Sequence, residues 1–359
     1  PNIEQLKVRS VIPAHFEVLS RPIGPKKTVC RYRTTRNLTL DPIKLSGVNL
    51  TTEPDGRSTL RLTFQCSEMI DWSQVPLTAL SFYLAGDIPT TYALHLALTK
   101  NIAATYLKLP SASERIALPL WFSPGGFSEQ DSLWPKGGTT FSGYQLLLEY
   151  FTFREKFLFV NLHGLGDIHF PENTRQFELD IVLNTQWDDD LALNTDNIKL
   201  HCVPVINLFN VEADPLTVNG LESEYLLRPR RLQDGHTEIY SVDNVQGSRR
   251  NQKINYVPFT SFRHRGGMLR HNAPEHYYHT RVKRGVSGLH DTWLILGGED
   301  NHLDEALESQ TLSLQLTGTN GQLPRKSLQG TLLDRTEQTL QFSLTVRNLC
   351  KPTLPSYPP

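Results

Sequence analysis

The densest group of chemically competent side chains in this 359-residue sequence is Arg270-His271-Asn272-Ala273-Pro274-Glu275-His276-Tyr277-Tyr278-His279. Three histidines and a glutamate in so short a run are zinc-ligand types, so His271, His276 and His279 define one candidate, a metal-dependent enzyme. The spacing argues against it. Pro274 breaks any helix, and in a strand over 275–280 His276 and His279 point to opposite faces. The HExxH helix of catalytic zinc sites is also missing from the sequence.

The surrounding window is a second candidate. Residues 228–290 hold 12 Lys+Arg against 4 Asp+Glu, a balance of +8, and 6 of the 12 histidines. The whole chain carries -1, so the remainder carries -9. Arg249-Arg250, Arg263 with Arg265, and Arg281 with Lys283-Arg284 could track phosphates, with Tyr277 and Tyr278 as stacking platforms for a single-stranded nucleic acid. These cations sit among turn residues such as Gly247-Ser248 and Gly266-Gly267, outside any recognised nucleic-acid motif. A basic face can equally meet an acidic protein. Arg249, Arg250, Arg263, Arg265, Arg281 and Arg284 are therefore assigned to a protein-partner interface, and no nucleic acid is expected.

The remaining patterns fail on spacing. Lys136-Gly137-Gly138-Thr139-Thr140 precedes a helix, but a P-loop needs its lysine after the last glycine. Gly164 and Gly166 do not complete GxGxxG, because position 169 is His. Asp188-Asp189-Asp190 misses the calcium-loop frame at Ala192 and reads instead as acids opening a short helix at Leu191. Gly125-Gly126-Phe127-Ser128 lacks the GxSxG frame. No enzyme, cofactor or metal is expected. Cys30, Cys66, Cys202 and Cys350 are 36, 136 and 148 residues apart. They read as four free thiols in a reducing cytoplasm.

The elements that would position these residues are mostly strands. Leu60, Leu62, Phe64 and Cys66 alternate with Arg61, Thr63 and Gln65, and Phe177, Leu179, Ile181 and Leu183 with Glu178, Asp180 and Val182; Leu312–Leu316 and Leu340–Val346 repeat this period of half-buried strands. Helices are few and lie in the first half. Ser142 and Gln145 fit a capping box flanked by a Phe141–Leu146 staple, and Tyr144, Leu147, Leu148 and Phe151 form one apolar stripe. A second helix runs from Asp87, a plausible N-cap, through Pro89 to Asn101. A short third one is expected near Asp304–Glu308. The expected fold is α+β, predominantly antiparallel β and multi-domain. An α+β part spans 1–210, a mostly β part 211–350, and a Pro-rich linker 351–359.

Composition bounds the class. Hydrophobic residues are 38% and charged ones 20%, ordinary for a globular chain. A net charge of -1 excludes a globally basic nucleic-acid binder and a long acidic tail. No apolar run reaches the roughly 18 residues of a membrane span. The start at Pro1-Asn2-Ile3 and the Pro-rich end read as cuts from a longer protein.

One extended likeness goes further. Cys202-Val203-Pro204-Val205-Ile206-Asn207-Leu208-Phe209, Glu212-Ala213-Asp214-Pro215-Leu216 and Glu224-Tyr225 resemble the central signature of the TssF family of type VI secretion baseplate proteins, also called VasA or ImpG. Glu238-Ile239-Tyr240-Ser241-Val242-Asp243 follows in order. Ser142–Phe151 and Lys156–Phe159 match upstream, and Thr319–Pro324 and Lys351–Thr353 downstream. The matches run from about residue 80 to 353. The resemblance implies a structural wedge component of a phage-tail-like injection machine, without catalysis or cofactor. It implies assembly with TssG, TssE, TssK and a second TssF copy, with the VgrG hub and the membrane complex reached indirectly. It implies no direct membrane insertion, a cytoplasmic location at an inner-membrane-docked baseplate, and a chain lacking both ends of the full-length members. It transfers no functional site. Asn207, Phe209, Glu212, Pro215, Tyr240 and Asp243 are expected to shape the fold, with Asn207 and Asp243 as able to hold turns as to touch a partner.

Overall fold

Alternating apolar residues need one buried and one open face, and the computed structural model gives them three clusters in which to bury it. It describes residues 3–110, 112, 114–135, 141–219, 221–230, 236–249, 252–259, 276–285, 288–298, 309–327, 333–336, 338, 340, 342–355 and 357. The fold is β-rich and mainly antiparallel, with few helices.

The first cluster lies between two sheets. In one, Ile43–Thr52, Ser58–Cys66, Gln176–Leu183, Ile102–Lys108 and Ile116–Ala117 are neighbours in that order. In the other the order is Trp121–Pro124, Phe159–His163, Ala79–Leu84 and Ile198–Lys199. The alternation in Ser58–Cys66 sends Leu60, Leu62, Phe64 and Cys66 inward, in register with Ile181, Leu179 and Phe177. Phe64 stacks on Phe177 with centroids 4.8 Å apart. Helix α1 (Ile88–Lys100) covers this core with Leu94, Ala97 and Leu98. Its ends form as expected: Asp87 accepts from Thr90 N–H, Pro89 sits in the first turn, and the Asn101 N–H donates to Ala97 O.

Helix α2 (Ser142–Thr152) has the expected place but not the expected cap. Phe141 is the N-cap residue and supplies no side-chain bond. The Gln145 amide, needed to close the box, instead donates to Ser132 Oγ and to Trp134 O, the latter at 3.1 Å. The aspartate run also departs from expectation. Asp188 Oδ1 accepts from Asp190 N–H at 3.0 Å, closing a turn where a helix at Leu191 was expected. Such side-chain bonds compete with helical backbone bonds.

The second cluster draws on both halves of the chain. Val205–Ile206, Thr28–Thr34, Glu17–Ile23 and Leu333–Thr336 form its sheet. Ile12, Phe16, Tyr32 and Leu40 pack with Leu323 and Leu333, so this core bridges the division near residue 210 read from the sequence. Leu340, Phe342, Leu344 and Val346 lean on it half-buried but form no strand. Here the alternation misled, and one backbone group that a ladder would use is taken by a side chain. Gln5 Oε1 accepts the Ser343 N–H at 2.9 Å.

The third cluster backs a long sheet with the order Phe209–Glu212, Gln310–Thr319, Glu238–Arg249, Gln252–Pro258, His276–Arg284, His290–Gly298 and Tyr225–Leu226. Leu216–Val218 also pairs with Gln310–Thr319. A five-residue helix α3 (Leu323–Ser327) follows, so the helices are not confined to the first half. The proposed helix at 304–308 lies outside the described residues. In the segment expected to be a linker, Tyr357 stacks on His290 at 3.6 Å and donates to Glu238 Oε2. All four cysteines are free thiols, and burial pushes Cys30, Cys66 and Cys202 up to about 12.

His201 links this packing to pH. Its φ is 57°, and its Nε2 is shielded with no hydrogen-bond partner. Burial drives its pKa down to about 4. The unfolded imidazole takes up a proton below about pH 6.5. Between these values the unfolded chain therefore binds more protons. Stability should fall by up to about 1.4 kcal/mol per pH unit as pH drops from 6.5 towards 4. His201→Asn, which tolerates the left-handed backbone, should flatten the urea midpoint against pH over that range. An unchanged slope would refute the assignment.

Candidate interaction surface

Of the histidine candidate, the two described members stand apart. His276 is half-buried beside Tyr256, whereas His279 is exposed, three positions along the same strand and on its other face. His271 lies outside the described residues. Among the described residues no group of three or more His, Cys, Asp or Glu could hold a metal ion. Ser123 Oγ lies 2.8 Å from His163 Nε2, but that ring is stacked under Trp121 at 4.1 Å. It is a cross-strand contact between Trp121–Pro124 and Phe159–His163.

The basic candidate is described only in part. Arg281 and Arg284 are exposed on His276–Arg284, three apart and so on opposite faces. This strand pairs with His290–Gly298 along its whole length, but among the described residues it meets Gln252–Pro258 only at Tyr277 and Tyr278. Lys283, between the two arginines, pairs with Glu224, its Nζ 4.8 Å from the Trp293 ring centre. Arg249 closes the strand Glu238–Arg249. Its side chain, and Arg250, Arg263 and Arg265, lie outside the described residues.

The six motif residues take distinct places. Asn207 is a four-bond junction. Its Nδ2 donates to Arg31 O at 2.6 Å and Asn320 Oδ1 at 2.8 Å. Its Oδ1 accepts from Asn320 N–H at 2.7 Å and Thr319 Oγ1 at 2.9 Å. It thereby ties the second sheet to the end of the third. Phe209 is buried opposite Gly318, where an added Cβ would sit 2.4 Å from Val211 Cγ2. Tyr240 and Asp243 are the extra residues of two bulges, since Ile239 and Ser241 face Gly318 and Thr317, and Val242 and Asn244 face Leu316 and Gln315. The first bulge leaves Tyr240 49% exposed. At the second, Asp243 accepts from Ser241 Oγ at 2.6 Å and Thr317 Oγ1 at 2.7 Å. Glu212 is exposed and pairs with Arg230 at 3.2 Å. Pro215 is exposed in the jog between Phe209–Glu212 and Leu216–Val218.

The outward direction of one apolar stripe was not expected from the sequence. An apolar stripe on a surface helix ordinarily faces a core. On α2 it faces out: Phe141 and Tyr144 are each 69% exposed, Leu147 54%, Leu148 59% and Phe151 78%. The polar side faces in. Glu149, at 1% exposure, pairs with the equally buried Lys156. Glu149 Oε1 also accepts from Leu133 N–H at 2.9 Å and from Ser132 Oγ at 3.2 Å. The stripe was legible in the sequence. Its direction was not, because burial of Glu149 depends on Lys156 and on loop groups at Ser132 and Leu133 that the helix pattern does not contain.

Comparison with known proteins bears on this geometry. A family model described as type VI secretion system, TssF, matches residues 1–359. The type VI secretion system component TssF1 of Pseudomonas aeruginosa is 28% identical over 257 residues, 67% of this chain and 41% of that protein. A chain solved by cryo-electron microscopy in a type VI TssK-TssF-TssG baseplate subcomplex is 61% identical, with a TM-score of 0.89. That match covers 100% of this chain and 65% of the solved one. A chain from the baseplate complex of a type VI secretion system is 57% identical with a TM-score of 0.69, over 100% and 62%. The chain thus spans less than two thirds of the length of these relatives.

Proposed function

Because the chain belongs to the TssF family of the type VI secretion system, we propose that it is a structural part of the baseplate wedge, assembled with TssK and TssG. One observation carries this: the chain aligns over its whole length with a chain solved inside a TssK-TssF-TssG subcomplex. By the same proposal it also contacts TssE and a second TssF copy and stands around the VgrG hub. It reaches the membrane complex through other proteins, from the cytoplasm. No helix among the described residues is long and apolar enough to cross a membrane. Its work is scaffolding, with no chemical step.

The basic window belongs to this assembly surface in the proposal, and Arg281 and Arg284 are the two of its six assigned arginines whose side chains are described. Affinity purification of the complete protein co-expressed with TssK and TssG should recover both. Its failure to recover either would overturn the proposal. Arg281→Glu with Arg284→Glu should weaken recovery roughly threefold to tenfold, more so at low salt, with the thermal midpoint unchanged. Equal recovery would make these two arginines ordinary surface.

A further inference from the structure

We infer that the outward face of α2 is the docking site for an uncharged apolar helix of another baseplate protein. The inference rests on the baseplate proposal and names one of its contact surfaces. Taking roughly 200 Å² for a whole aromatic or large aliphatic side chain, the five outward residues leave on the order of 600 Å² uncovered. That equals the largest apolar patch of an ordinary monomer and approaches the about 800 Å² that one partner gives a standard interface. Phe127, 53% exposed, extends the face through Phe157 and Tyr150, with ring centres 4.9 and 5.6 Å apart.

The chemistry of the face selects its occupant. From Phe141 to Phe153 the only charged residue is Glu149, and it is buried. A charged partner surface would lose its water here and gain no counter-charge. Nucleic acid and acidic peptides are therefore excluded. A lipid surface is disfavoured for a related reason. Interfacial helices carry Lys and Arg on their polar side, whereas α2 has Gln145 and Glu149 there, both bonded into the protein. Tyr144, Leu147, Leu148 and Phe151 stand at i, i+3, i+4 and i+7, so they present the ridges that mesh with a second helix. A strand would find no open ladder on a helix. The solved relative sits in a complex of different proteins, which favours a heterologous helix over a second copy of this chain.

The test uses the complete protein co-expressed with TssK and TssG. A photo-crosslinking residue at Tyr144 or Phe151 should give an adduct mapping to an apolar helix of TssG or TssK. Leu147→Glu with Phe151→Glu should cut co-purification at least tenfold and leave the thermal midpoint unchanged or raised. Adducts confined to a second copy of this chain would overturn the inference, as would normal recovery by the double variant. Failure of the unaltered protein to co-purify would sink the baseplate proposal and this one with it. Normal binding by the variant would sink this one alone.

Discussion

Replacing Lys156 with Met should destabilise the protein by about 3–5 kcal/mol, the cost of leaving one member of a buried ion pair alone. Lys156 and Glu149 are each 1% exposed, and the ammonium also lies 5.1 Å from the Phe157 ring centre. Removal of the cation leaves the Glu149 carboxylate with the Leu133 N–H, the Ser132 hydroxyl and the Gln145 amide, three neutral donors for a full charge. The double variant Glu149→Gln with Lys156→Met removes both charges at nearly constant volume and should recover most of the loss. Urea midpoints of the three proteins would measure this. A loss below about 1 kcal/mol in Lys156→Met would mean that water reaches the pair in solution.

The consequence reaches beyond stability. The Glu149–Lys156 pair holds the polar side of α2 against the protein, so it also fixes which side the helix turns outward. A helix freed from it could bury Leu147, Leu148 and Phe151 by rolling over, since apolar burial favours that by roughly 1.5–3 kcal/mol per side chain. On the baseplate proposal, Lys156→Met should therefore weaken assembly with TssK and TssG as well. The double variant, which restores stability but not the inward charge pair, separates the two effects.

Local pattern carried much of the fold. Strands Ser58–Cys66, Gln176–Leu183 and Gln310–Thr319 follow from period-two alternation, and α1 from Asp87, Pro89 and Asn101. The failures share a cause. Gln145 was drawn from its cap by Ser132 and Trp134, and the Ser343 N–H from a ladder by Gln5. Each competitor is remote in sequence or belongs to a loop, where spacing carries no signal. The surface was legible only as composition. Charge counts located the basic window, but strand pairing decided that Arg281 and Arg284 face opposite ways. The α2 face required knowledge of what lies behind the helix.

Asn207→Ala should cost about 2–4 kcal/mol, because it leaves several partly buried polar groups short of partners at once. The Arg31 carbonyl, the Asn320 N–H, the Thr319 hydroxyl and the Asn320 amide all lose a bond. Asn320 is only 4% exposed, so little water can replace them. Asn320 cannot compensate, since its Oδ1 already accepts from the Arg31 N–H and its Nδ2 donates to His236 O. Asn207→Asp should be nearly as costly, since it keeps the acceptor but loses both donors and buries a charge. Tyr240→Ala provides the contrast. Its side chain stands out from a bulge, so its loss should change stability by no more than about 0.5 kcal/mol. Denaturant midpoints for the three variants, paired with recovery of TssK and TssG, would separate the uses of the motif. If Tyr240→Ala impairs assembly at full stability, the bulge displays a partner contact. If Asn207→Ala leaves the midpoint unmoved, the junction between the second and third sheets is held elsewhere, and the shared asparagine must be explained by a partner.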